Sequence, residues 1–146
     1  KRTQLQDKVS IVVSNDKTNS QPLPFISPNR NDVSLSFDIH SRWLNEIEFT
    51  HRFVAKQQRI PQNNIFGTDE NLIFNQNGGD YLPAPEAYQL LDVFLKNTLK
   101  LNRNELILSV EGKNILNTVY RDYLNRFRYF ADEIGRNIQV RIQFKL

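Results

Sequence analysis

Residues 137–146 read NIQVRIQFKL, the cleanest alternation in the chain. Ile138, Val140, Ile142, Phe144 and Leu146 fall on one side; Asn137, Gln139, Arg141, Gln143 and Lys145 fall on the other. Successive side chains of an extended chain point to opposite faces, so a period of two predicts a strand with one apolar and one polar face. Further back, Leu106, Leu108 and Val110 alternate with Ser109, Glu111 and Lys113. Ile47, Phe49 and Phe53 alternate with Glu46, Glu48, Thr50 and Arg52. Val33, Leu35, Phe37 and Ile39 alternate with Ser34, Ser36, Asp38 and His40. A shorter strand is expected over 8–14, where Val9, Ile11 and Val13 share a face.

The connections differ in length. Residues 41–45 and 102–104 are short enough for hairpin turns. The stretches 15–31, 57–85 and 114–136 are long and rich in Asn, Gly, Pro or charge. One segment stays ambiguous by period. In EAYQLLDVFLKNTLKL, 86–101, Ala87, Leu90, Leu91, Phe94, Leu95 and Leu99 fit a helical stripe with Pro85 at its start. The same segment reads as a strand if Leu91, Val93, Leu95 and Leu99 oppose Asp92, Lys96 and Thr98, with Phe94 as the exception. Over 115–134, Ile115, Val119, Tyr123, Phe127, Phe130, Ala131 and Ile134 show helical spacing, and Gly135 stands where a helix cap would be. A short helix is expected within 118–130.

The 146 residues bound a single unit with no internal repeat and a formal charge of +3. There is no cysteine, which excludes disulfides, thiol chemistry and thiolate zinc sites. With Lys1 first and no methionine, the chain reads as a processed product, a fragment or an excised domain. No run approaches the 18 apolar residues of a membrane helix. A soluble sheet buries its apolar face under a second layer. A membrane barrel turns that face to lipid and its polar face to a wet lumen. The periodicity allows both. The charged polar faces, the alternation of short and long connections, and the aromatics Trp43 and Tyr88 near strand ends lean towards the barrel.

No nucleophile-elbow or phosphate-loop pattern is present, so no enzyme is expected. Asp92 and Glu111 on facing strands are expected to be solvated carboxylates. His40 and His51 lie in different strands, and the oxygen-rich loop residues Asp69, Glu70, Asn71, Asn75, Asn77 and Asp80 do not match a calcium-loop spacing. Neither metals nor cofactors are expected, and no RNA-binding signature is present. The basic-aromatic residues Tyr120, Arg121, Tyr123, Arg126, Arg128 and Tyr129 are the candidates for an anionic ligand in an outer loop. The competing reading packs them within the loop against Asp122, Asp132 and Glu133.

The last long connection, KNILNTVYRDYLNRFRYFADEIGRN over 113–137, carries a motif. Asn114, Leu116 and Asn117 are followed by Tyr120-Arg121-Asp122-Tyr123-Leu124, by Arg126 and Arg128-Tyr129, and by Gly135-Arg136-Asn137 opening the final strand. This resembles the C-terminal end of TonB-dependent outer-membrane receptors. Pro24 to Arg30 resembles their approach to a descending strand, Phe53 to Gln57 the end of an ascending one, and Ala87-Tyr88 with Leu90-Leu91-Asp92 the start of the next. The resemblance tips 86–101 to strand. It implies an all-β segment of about six up-and-down antiparallel strands, the last part of a 22-stranded transmembrane barrel. It also implies a Gram-negative outer-membrane location. The implied partners are the remaining barrel strands, a plug domain, outer-membrane lipid, the energy-coupling TonB protein and a small nutrient such as an iron chelate. The chain departs from the family in lacking the plug, and in placing Lys145-Leu146 after Phe144 where the family has a terminal aromatic residue. The alternative expectation is a soluble α+β binding domain with long recognition loops.

Overall fold

The computed structural model describes residues 2–18, 20–39, 41–61, 84–102 and 104–145. Six strands form one antiparallel sheet: β1 (Arg2–Ser10), β4 (Arg30–Asp38), β5 (Glu46–Val54), β6 (Tyr88–Leu101), β7 (Asn104–Lys113) and β8 (Asn137–Lys145), side by side in that order. A two-stranded hairpin of β2 (Asn15–Asp16) and β3 (Gln21–Pro22) sits in the connection between β1 and β4. Each strand of the large sheet pairs with the next in sequence, so direction alternates across it. The sheet does not close, and β1 and β8 are its two edges.

Register fixes the faces. Leu35 pairs with Leu5 on one side and Phe49 on the other, and Phe49 pairs with Val93. Leu95 pairs with Val110, which pairs with Val140. These rows make one continuous apolar face across all six strands. On the opposite face Ser36, Glu48, Phe94, Glu111 and Gln139 form one row, and Asp38, Glu46, Lys96, Ser109 and Arg141 form the next. Ion pairs run along that polar face: Arg52 to Asp32 at 2.7 Å, Lys96 to Glu46 at 3.3 Å and Lys113 to Glu111 at 3.4 Å. Glu46, Glu48, Arg52, Glu111, Lys113 and Arg141, on polar faces by their alternation, lie on it.

The short connections gather at one end of the sheet and the long ones at the other. The pairing of Leu101 with Asn104 leaves two residues between β6 and β7. Asn102 takes φ 57°, the left-handed conformation that a tight hairpin turn needs and Asn tolerates. The buried residues sit at the opposite end: Val54, Ala84, Leu90 and Tyr123, with Gln57, Asn114 and Arg128 among them. The middle of the sheet has no buried core.

Three expectations change. The first strand is Arg2–Ser10, not 8–14; Ile11, Val12 and Val13 fall past its end and are exposed. Its sequence, RTQLQDKVS, puts only Leu5 and Val9 on the apolar face, and an edge strand paired on one side tolerates that weak pattern. The expected helix within 118–130 is only a single 3-10 turn, Arg126–Tyr129, and no α-helix occurs among the described residues. Tyr88 opens β6 on the polar face, not at an outer rim of the apolar one, because it shares its face with Asp92 and Lys96. The ambiguous segment 86–101 is a strand from Tyr88 onward. Among the described residues no helix is long and apolar enough to cross a membrane, which leaves crossing by strands open.

Candidate functional site

The loop after β7 folds back over the polar face at the long-connection end, and asparagines make it do so. Asn114 is buried and takes φ 48°. Its backbone N–H donates to Asp92 Oδ1 at 2.8 Å. Its side chain grips Thr118 twice: Oδ1 accepts from the Thr118 N–H at 2.8 Å, and Nδ2 donates to the Thr118 carbonyl at 2.9 Å. Ile115 N–H donates to the Leu91 carbonyl, carrying the sheet ladder one step past the strand. Asn117, at φ 56°, accepts from the Arg136 N–H at 2.9 Å and so ties the start of the loop to its end. Gly135 leaves room for that amide: a Cβ there would stand 2.8 Å from Asn117 Oδ1 and would displace it. Left-handed backbone disfavours most side chains, and Asn is the polar residue that both tolerates it and bonds locally.

Beyond this anchor the loop seals against β6. Tyr88 Oη donates to Asp122 Oδ2 at 2.7 Å, and the Tyr88 and Tyr120 rings lie 4.4 Å apart. Asn125 accepts from the Phe127 N–H and donates to Glu133, which starts and ties the 3-10 turn. Burial, then Glu133 and Asp122, push the Tyr120 phenol above its ordinary value, because each disfavours a phenolate.

The six predicted ligand candidates meet in this loop. Arg128 is buried between the rings of Tyr123 (4.4 Å) and Tyr129 (4.7 Å). It donates to the Tyr123 carbonyl and, at 2.7 Å, to Tyr129 Oη. Arg121 pairs with Asp132 at 2.5 Å and donates to the Arg128 carbonyl at 2.8 Å. Arg126 lies 5.3 Å from the Phe25 ring, and Phe25 packs 6.4 Å from Tyr123. The guanidinium groups are therefore stacked and bonded within the chain. Arg121 and Arg126 remain exposed, Tyr120 and Tyr129 half-buried, and Tyr123 and Arg128 act as internal struts. Of the acidic partners expected for this cluster, Asp132 pairs with Arg121, Asp122 serves Tyr88, and Glu133 serves Asn125.

Below the loop, Glu48, Thr50, Arg52, Asp92, Glu111 and Lys113 line an open depression of about 260 Å³ on the polar face. Asp92 and Glu111 share it with two cations, and Asp92 is engaged by the Asn114 backbone. His51 lies on the apolar face beside Gln89 Oε1 at 3.2 Å. No group of three His, Cys, Asp or Glu residues is placed to hold a metal among the described residues. His40 and the oxygen-rich stretch from Asp69 to Asp80 lie outside the described residues.

Sequence reasoning missed the pairings Tyr88–Asp122 and Asp92–Asn114, which join residues far apart in the chain. The local signal for the second was available: two asparagines three apart, directly after a strand, mark a left-handed turn. Comparison with family models, with curated proteins and with solved structures finds no match.

Proposed function

We propose that this chain is part of the wall of a transmembrane β-barrel, the C-terminal segment of a TonB-dependent receptor. The intact receptor takes up a scarce nutrient, such as an iron chelate, across the outer membrane of a Gram-negative bacterium. The chain supplies wall and outer loops and no catalysis. Its partners are the other barrel strands, the plug, membrane lipid and, through the plug, the TonB protein.

One observation carries the reading. The apolar face lies open to solvent while the opposite face is polar and ion-paired. Leu5, Val9, Phe53, Ile138, Val140, Ile142 and Phe144 are each more than 40% exposed. Burying a side chain of this size is worth about 1.5–3 kcal/mol, so seven left open forgo roughly 10 kcal/mol, comparable with the whole stability of a domain. A hydrocarbon solvent removes that deficit. Strand length also fits. A tilted strand needs roughly 9–11 residues to cross the hydrocarbon layer. β4, β5 and β8 have 9 residues each, β7 has 10, and β6, with 14, runs on beyond the layer. The soluble α+β alternative loses the helices it relied on, since 88–101 is strand and 118–130 holds one 3-10 turn.

The test uses the absence of native cysteine. Single cysteines at 47 through 53, spin-labelled in vesicle-reconstituted protein, should alternate between oxygen access and access to a water-soluble nickel chelate. Positions 47, 49, 51 and 53 should face oxygen, and 48, 50 and 52 the chelate. Uniform aqueous access, or a protein that is monomeric in buffer without detergent, overturns the reading.

A further inference from the structure

The chain has one tryptophan, Trp43, at the tip of the 39–45 connection, and it is 77% exposed. That tip is not loose. Ile39 N–H donates to the Asn45 carbonyl at 2.8 Å, and Asn45 N–H donates to the Lys96 carbonyl at 2.9 Å. Asn45 Oδ1 also accepts from the Thr98 N–H. Asn97 Nδ2 donates to the Arg42 carbonyl at 3.3 Å. Asn97 pairs with Leu108 and so lies on the apolar face. The bond therefore ties the Arg42 backbone, next to Trp43, to a residue of the apolar face at the short-connection rim. The Arg42 guanidinium stands 5.4 Å from the centre of the Trp43 ring. Lys96 and Lys145 at this end are paired with Glu46 and Glu105, whereas Arg42 has no acidic partner among the described residues.

We propose that Arg42 and Trp43 form a binding site for the headgroup of an anionic phospholipid, at the short-connection rim of the barrel wall. The inference rests on the barrel reading. An indole ring suits the headgroup level, with an apolar body and one N–H donor. A guanidinium presents a fork of donors that matches phosphate oxygens, and its stacking on Trp43 limits the orientations it must lose on binding. A zwitterionic lipid offers the same phosphate but carries its own cation, which offsets the attraction. The hydrogen bond from Asn97 holds the Arg42 backbone at this rim, and the Trp43 N–H donates to Ser41 Oγ at 3.4 Å within the same connection.

Trp43 is itself the reporter. The chain is reconstituted into mixed vesicles containing brominated phosphatidylglycerol or brominated phosphatidylcholine at equal fraction, and quenching of Trp43 gives the relative binding constant. One arginine at an anionic surface corresponds to about a fivefold preference for the anionic lipid, reduced by salt. R42Q should bring the ratio close to one. K100Q, which removes a cation of the polar face at the same end, should leave it unchanged. Equal quenching by both lipids in the native chain, or a preference that survives R42Q, overturns the site while the barrel reading stands. Quenching by neither lipid places Trp43 outside the membrane and overturns both.

Discussion

Replacing Asn114 separates the two things this residue does. It holds φ at 48°, and its amide satisfies both the N–H and the carbonyl of Thr118. In Asn114→Gly the conformation is free but both bonds are lost. Leaving a part-buried donor and acceptor without partners costs about 1–3 kcal/mol, and water reaching the loop brings the loss towards 1–2. In Asn114→Ala the same bonds are lost and a Cβ is forced into left-handed backbone, which adds roughly 1–2 kcal/mol. The expected order of stability is native, then Gly, then Ala, with Ala about 3 kcal/mol below native. The backbone bond from residue 114 to Asp92 survives in both variants, so the strand register is unaffected. Equilibrium denaturant unfolding in lipid or detergent gives the differences, and hydrogen exchange at the Thr118 amide localises them. That amide should exchange at least tenfold faster in both variants. Equal destabilisation by Gly and Ala would refute the conformational half of the argument. Unchanged protection at Thr118 would refute the clamp.

Three further outcomes follow from the same geometry. Phe49→Arg, in the middle of the apolar face, should destabilise the lipid-inserted protein by about 2–4 kcal/mol, while Thr50→Arg on the polar face should stay within about 1; equal effects would remove the assignment of faces. Tyr88→Phe deletes the bond to Asp122 and should weaken loop docking by about 1–1.5 kcal/mol, visible as faster exchange at Leu124, whose N–H donates to Asp122 Oδ1 at 2.8 Å. The Tyr120 phenol is raised in the fold, so its contribution is intact below its unfolded value near 10 and is lost as pH rises from there through the folded value. Tyr120→Phe should therefore flatten the alkaline loss of loop protection, and an unchanged slope would reject that assignment.

How much could be read from the sequence depended on whether one face stayed uniformly apolar and the other polar. It did over 32–40 and 137–146, and with one exception each over 46–53 (His51 on the apolar face) and 106–113 (Ile107 on the polar face), and those strands were legible to within about two residues. It did not over 86–101. Leu90 and Phe94 sit on the polar face, and each has a local reason: Leu90 is buried under the returning loop, and Phe94 lies between Glu48 and Glu111. Two apolar residues on the wrong face at this spacing imitate a helical stripe. The 115–134 stretch misled in a different way. Val119, Phe127, Phe130 and Ile134 fit a stripe by spacing, yet all four are exposed. The chain is held irregular by side-chain bonds from Asn114, Asn117, Asp122 and Asn125, which compete with helical backbone bonding. Gly135 caps no helix, and its missing Cβ leaves room for the Asn117 amide. In the candidate site, the basic-aromatic character of 120–129 was legible, but its partners Phe25 and Tyr88 are brought in only by the sheet.

The two edges constrain what the wall belongs to. Direction alternates strand by strand, so β1 and β8 run antiparallel to each other. Only an even number of strands can join them into a closed antiparallel barrel; the twenty-two strands of a plugged outer-membrane transporter would supply sixteen. In hydrocarbon an unpaired N–H or carbonyl costs several kcal/mol, and each edge presents a row of them. On the barrel reading, the open apolar face takes the sheet into lipid and the open edges favour lateral pairing there, with further strands of the barrel or with a second copy of the chain. The polar face pairs its charges across and along the strands, at Arg52–Asp32, Lys96–Glu46 and Lys113–Glu111, and a loop tied at Asn114, Asn117 and Tyr88 covers its long-connection end. Lateral pairing at β1 and β8 is what the described strands leave open, and the barrel reading assigns it to further strands.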